Sequence, residues 1–164
     1  MILATGCEPI APPKCDGMEM FGIGVCTPRF DGADELKPDE WIYVHTAALP
    51  HVDNPRYFDG CRFFLTLSCV SGWIFGDARD SYRNWSSGRP VDAGTLFVVD
   101  LEEPHWLFPA DTGSLSFRAV DVWAGFQWQC KDLRALKRTA RRVVGQLGGT
   151  WMESDDVRYR RIKP

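Results

Sequence analysis

Histidine is scarce in this chain: its three imidazoles stand at positions 45, 51 and 105. The sharpest chemical feature is His51-Val52-Asp53. On an extended strand, residues i and i+2 point to one face, so an imidazole and a carboxylate two residues apart converge on one small volume. They supply two of the three ligands of a mononuclear metal site. His105 follows a strand-like Gly94-Thr-Leu-Phe-Val-Val-Asp100 and a Glu-Glu-Pro turn, where a β-barrel returns the chain beside its earlier strand to add the third. Two histidines and one carboxylate on one face, with the other positions open, are the donor set of ferrous iron in oxygenases. His45 reads as a structural residue of another strand rather than a fourth ligand.

Short β-branched or aromatic runs separated by turn residues must position these ligands. They are 41–45, 62–70, 72–75, 95–99, 105–108 and 114–123, with a further short strand near 21–25 and a helical turn near 37–41. Six or more such strands, in a chain whose one strong helix comes late, predict a mainly β fold of the jelly-roll or double-sheet barrel type. The helix spans 131–147: Leu133, Leu136, Ala140, Val143, Val144 and Leu147 recur at three- and four-residue steps. Asp132 is placed to cap its start and Gly148-Gly149 to end it. Its apolar stripe is expected to pack on an outer sheet face.

The surroundings of the histidine pair resemble the prolyl hydroxylase branch of the iron(II)- and 2-oxoglutarate-dependent dioxygenases. The similar segments are His51-Val-Asp-Asn-Pro55, then Gly60, Arg62 and a strand with Thr66, and later Gly94 to Asp100, Pro104-His105, and Ser116-Phe-Arg118 running on to Trp123. The resemblance covers 41–123, about half of the chain. The resemblance implies a double-stranded β-helix (a cupin-like jelly roll), Fe(2+) held by His51, Asp53 and His105, and 2-oxoglutarate and O2 as cosubstrates. The implied reaction hydroxylates a C–H bond, with release of succinate and CO2, and favours a protein or peptide side chain as primary substrate over a small molecule. Arg118 suits the distal carboxylate of the cosubstrate, because a guanidinium stays charged and donates two parallel hydrogen bonds. Arg62 competes for that role but reads as an edge-strand surface residue. The chain departs from the family where many members carry a tyrosine on the strand after His-x-Asp. Cys69 lies near that position, and Tyr43 and Thr66 stand as candidate replacements. Trp123 has the opposite strand parity to Arg118, so it needs a bulge to share the pocket. Residues 82–88 fall where a loop over the pocket mouth is expected. The rival readings are a cupin-like binding module without oxygenase chemistry, although cupins usually carry His-x-His, and an oxygenase brought to nucleic acid by the basic tail.

Composition sets the bounds. The 164 residues are 45% hydrophobic and 25% charged, ordinary globular values that argue against disorder or a coiled coil. They predict one domain over 1–164, with a core at 41–128, N-terminal loops and short elements at 1–40, and a basic helix and tail at 131–164. No apolar run is long enough to span a bilayer. Six cysteines form no C-x-x-C pair, which fits a reduced, cytoplasmic setting. Cys61 and Cys69 sit too far apart along one strand to bond to each other. Residues 1–130 carry 9 Lys/Arg against 18 Asp/Glu, and residues 131–164 carry 10 against 4. The basic tail is read first as lying against its own acidic body and second as meeting an anionic partner.

Overall fold

The computed structural model describes residues 1–8, 10, 18–20, 23–26, 36–45, 47–80, 87–110, 122–154 and 156–162; the side chains of 18–20, 23–26, 45 and 122 are excepted. The described strands are β1 (Ile2–Thr5), β2 (Met18–Met20), β3 (Ile23–Cys26), β4 (Glu40–His45), β5 (Ala48–His51), β6 (Phe63–Ser68), β7 (Trp73–Asp77), β8 (Arg89–Val91), β9 (Leu96–Asp100), β10 (His105–Pro109), β11 (Val122–Cys130) and β12 (Thr150–Trp151). Helix α1 covers Leu133–Leu147. The strands form two antiparallel sheets, one in the order β12-β1-β9-β6-β11-β4-β3-β2 and the other β5-β10-β7-β8.

Strand β6 shows why these residues form this architecture. Its sequence Phe63-Phe-Leu-Thr-Leu-Ser68 is buried throughout, because the strand lies between β9 and β11 with both faces covered. Phe63, Leu65 and Leu67 join Phe126, Trp128 and the helix residues Leu136, Ala140 and Val143 in one core. Phe64 points the other way, into a second core with Phe97, Val99 and Trp123 from its own sheet and Phe75 and Leu107 from the smaller one. The large sheet thus separates a helix-side core from a core between the sheets.

Helix α1 begins as the sequence suggests: Asp132 accepts a hydrogen bond from the Ala135 amide at 2.7 Å. Gly148 and Gly149, both at positive φ, end it. Its buried residues, Leu136, Ala140, Val143 and Val144, face the sheet.

Several expectations are corrected. No helical turn forms at 37–41. Glu40 already pairs with Gln127 and Trp41 with Phe126, so strand pairing takes up the end of that segment. Strand β6 is central rather than at an edge, and Arg62 at its start reaches Asp100 at 3.4 Å and Glu102 at 3.3 Å. The last long strand runs on to Cys130; residues 114–121 lie outside the described residues. The short strand expected near 21–25 forms as β3 at Ile23–Cys26, and it pairs with β2, which was not expected. Cys7, Cys61, Cys69 and Cys130 are free thiols, so Cys61 and Cys69 do not bond to each other. No helix among the described residues is long and apolar enough to cross a membrane.

Candidate metal centre

His51, Asp53 and His105 meet: each offers one ligand atom, and these atoms lie within 4.8 Å of one another. His51 ends β5 and pairs directly with His105, which begins β10. Their rings lie edge to face with centroids 4.4 Å apart. Asp53 Oδ2 lies 3.3 Å from His105 Nε2, and Oδ1 lies 3.7 Å from His51 Nε2.

Asp53 arrives by a different route from the one expected. Strand β5 stops at His51, so Val52 and Asp53 are not a continuation of it. Asn54 instead caps a 3₁₀ turn at Pro55–Phe58 by accepting from the Arg56 amide, and Asp59 closes that turn in the left-handed region. The Asn-Pro step opens that turn directly after Asp53, whose carboxylate lies against both Nε2 atoms. A register shift in β5 supplies the other half of the geometry. Leu107 pairs with Ala48 and His105 with His51, so three steps on β5 match two on β10. Strict alternation would turn Ala48 and His51 to opposite faces, but the extra residue lets both line the same cavity. Pro50, which has no amide proton to donate, sits within this bulge.

Both imidazoles are held in the same tautomer. Nδ1 of His51 lies 2.6 Å from the Leu49 carbonyl oxygen, and Nδ1 of His105 lies 3.0 Å from that of Glu103. A carbonyl oxygen only accepts, so each Nδ1 carries a proton and donates it. Each Nε2 is then left to face Asp53. Burial raises the Asp53 carboxyl pKa, but when the imidazoles also carry a proton on Nε2 the hydrogen bond and charge of His105, with the charge of His51, outweigh it and hold the group below its usual range. The carboxylate is therefore ionised at neutral pH. Two Nε2 lone pairs, one carboxylate and backbone acceptors that orient the rings make up the donor set and outer shell of a divalent transition-metal site. The residues present fit such an ion.

The centre sits at the rim of a cavity of about 590 Å³ between the two sheets. The His51 side chain is 39% exposed and that of His105 9%, whereas Phe75, Phe97 and Trp123 deeper in are almost wholly buried. Two side chains from the interior face of β6 position the β11 residues that line the cavity. Ser68 Oγ accepts from Trp123 Nε1 at 3.0 Å, and Thr66 Oγ1 accepts from Gln127 Nε2 at 3.2 Å. A Cβ on Gly125 would come within 2.6 Å of the Leu67 carbonyl oxygen and 2.7 Å of the Trp123 ring, so glycine is what leaves room for the indole there.

The expected cosubstrate residues are not assembled in the same way. Thr66 is fully buried beneath Gln127 and does not line the cavity. Tyr43 lies on the other face of β4 and packs against the helix-side core, because its neighbours Ile42 and Val44 take the cavity face. Arg118 lies outside the described residues, as does most of the 82–88 loop. Trp123 does line the cavity. No lysine or arginine does so among the described residues, which therefore do not provide a cation for the distal carboxylate of 2-oxoglutarate. The sequence reading passed over Gln127 and Glu40. The available signal was parity, since Gln127 shares the face of Trp123 at a four-residue step.

In comparisons with known proteins, no family model matches this chain and no curated protein does. A solved structure, the plu4264 protein from Photorhabdus luminescens, is 14% identical with a TM-score of 0.35, over 83% of this chain and 90% of that one.

Proposed function

We propose that this chain is a mononuclear non-haem iron(II) oxygenase that hydroxylates a C–H bond of a molecule held in the cavity between its sheets. The observation that carries the reading is the pair of Nδ1 hydrogen bonds to backbone carbonyls, which turns both Nε2 atoms toward one ionised carboxylate. His51, Asp53 and His105 would hold the ferrous ion, which would supply the activation of dioxygen. The wall behind the ligands is apolar, and their place at the rim leaves the centre accessible from outside. The strand order supports a double-stranded β-helix around the cavity: β4 to β11 divide evenly between the sheets as β9-β6-β11-β4 and β5-β10-β7-β8, as in a jelly roll.

Hydroxylation that places one oxygen atom in the substrate needs two further electrons. Decarboxylation of 2-oxoglutarate to succinate and CO2 supplies them. That cosubstrate is proposed on the sequence resemblance, with Arg118 as its carboxylate partner.

Anaerobic titration of the full chain with ferrous iron tests the centre. One ion per chain is expected for the wild type and none for His51→Ala or His105→Ala. Equal uptake by all three would overturn the reading. Succinate released from 2-oxoglutarate on admitting air, and lost in Arg118→Ala, tests the cosubstrate separately.

A further inference from the structure

The metal centre makes no use of Glu40. This residue opens β4 and lines the cavity with Ile42 and Val44, which share its face of the strand. It is half-buried, so the wall holds its side chain while leaving it open to the cavity. One carboxylate oxygen accepts from Gln129 Nε2 at 2.7 Å, which fixes the position of the group. Burial pushes its carboxyl above the usual range, the Gln129 hydrogen bond pulls it down, and the charge of Asp39 adds to the rise. No cation among the described residues acts on it, and no lysine or arginine among them lines the cavity. Carboxylates drawn out of water are ordinarily paired, and an opposite charge beside one favours its ionised form.

The topology sets this carboxylate opposite the histidines. Along the large sheet, Asp100 pairs with Phe63, Phe63 with Cys130, and Glu40 with Gln127 near the end of that same β11 strand. These residues mark one end of the sheet, and the short turn at 101–104 carries the chain from that end into His105. Glu40 and the His51–His105 pair therefore stand at the same end of the cavity, on different sheets. Facing sheets pack about 10 Å apart, a gap that a short hydrocarbon chain bridges. The cavity surface around Glu40 is hydrocarbon, with Ile42, Phe64, Phe97 and Trp123 on the large sheet.

We propose that the cavity takes a molecule or side chain that carries an ammonium or guanidinium group on a hydrocarbon stem, with the cation paired to the Glu40 carboxylate and the stem directed toward His51, Asp53 and His105. This assignment names the primary substrate class of the proposed oxygenase and rests on that reading for its chemistry, but the cation site itself needs no metal. A cation at Glu40 and the dianionic cosubstrate proposed with Arg118 call on different groups, so they do not compete.

The probes are 2-phenylethylamine and its neutral counterpart 2-phenylethanol, titrated calorimetrically into the metal-free and the anaerobic iron-loaded full chain at pH 7. Wild type is expected to bind the amine about tenfold more tightly than the alcohol. Glu40→Gln should bring the amine down to the level of the alcohol, whose binding reports that the cavity is intact. Glu40→Met serves the same purpose if the glutamine variant does not fold. Asp53→Asn, which removes the other cavity carboxylate, should keep the preference in the metal-free chain. The assignment is overturned if amine and alcohol bind alike, if neither binds, if the Glu40 variants keep the preference, or if Asp53→Asn abolishes it. A blocked Gly-Lys-Gly peptide and its Nε-acetylated form distinguish the sources of the cation. Glu40-dependent binding of the first alone assigns a polypeptide side chain, and binding of the free amine without the peptide assigns a small molecule. A chain that shows the Glu40-dependent preference but takes up no iron sinks the oxygenase and leaves the cation site standing. The reverse result removes the cation site alone.

Discussion

Asp77 shows how strongly one side chain is held where β7 meets β10, for it pairs across the sheet with His105. Arg79 donates to it from Nε at 2.9 Å, and Arg89 lies 3.2 Å away while also bonding Asp80. Burial raises the Asp77 pKa, yet the Arg79 hydrogen bond and the surrounding positive charge outweigh it and hold the carboxyl far below its ordinary range. Because the folded value is depressed, the stabilisation is fully present above the unfolded value of about 4 and is lost as pH falls toward the folded one. Asp77→Asn is therefore expected to destabilise the protein by about 2 kcal/mol at pH 7. Its deficit against wild type in denaturant titrations should shrink steadily below about pH 4. A deficit that did not change with pH would show that the carboxylate charge contributes nothing. None of this was legible in the sequence, where Asp77 is one acid in a turn. The grouping of His51, Asp53 and His105 was legible because so few residue types bind transition ions and two of the three lie two residues apart. The tautomers of His51 and His105 were not, since they depend on where two backbone carbonyls point.

At the level of elements, helix α1 and the cavity occupy opposite faces of one sheet. Leu136 is completely buried on the helix side. Leu136→Ala should cost about 2–5 kcal/mol by chemical denaturation, yet leave iron stoichiometry at one per chain. Loss of iron uptake in a folded Leu136→Ala protein would mean that the two faces are coupled. The helix was readable end to end, because a 3.6-residue apolar period, an aspartate cap and a glycine pair all agree there. Strand β5 was not. Ala-Leu-Pro-His carries no alternation, and its register shift arises only from pairing with β10.

Over the whole molecule, the proposed metal centre joins β5 to β10 at the rim, so an ion bound there would stabilise the native fold alone. Iron held anaerobically at a hundredfold excess over its dissociation constant should add about 2.7 kcal/mol and raise the melting temperature by several degrees. A chelator should reverse the shift, and His105→Ala should show none; an identical shift in that variant would place the ion elsewhere. The charge imbalance is also partly resolved at this scale. Arg158 of the basic tail reaches Glu103 of the acidic body at 2.7 Å, while Tyr159 and Ile162 bury themselves in the helix-side core. This segment of the tail lies against its own body, the first of the two readings its charge allowed.

Residue types and their periods were enough to establish a mainly β chain, one capped amphipathic helix and three candidate ligands, because each of these is a local property of side-chain chemistry and spacing. Pairing between distant strands decided the rest. It chose which face each residue of β4 and β11 presents, and so moved Tyr43 away from the cavity and brought Gln127 into it. A one-residue change in register reverses every side chain on a strand, and register is set by partners that lie tens of residues away.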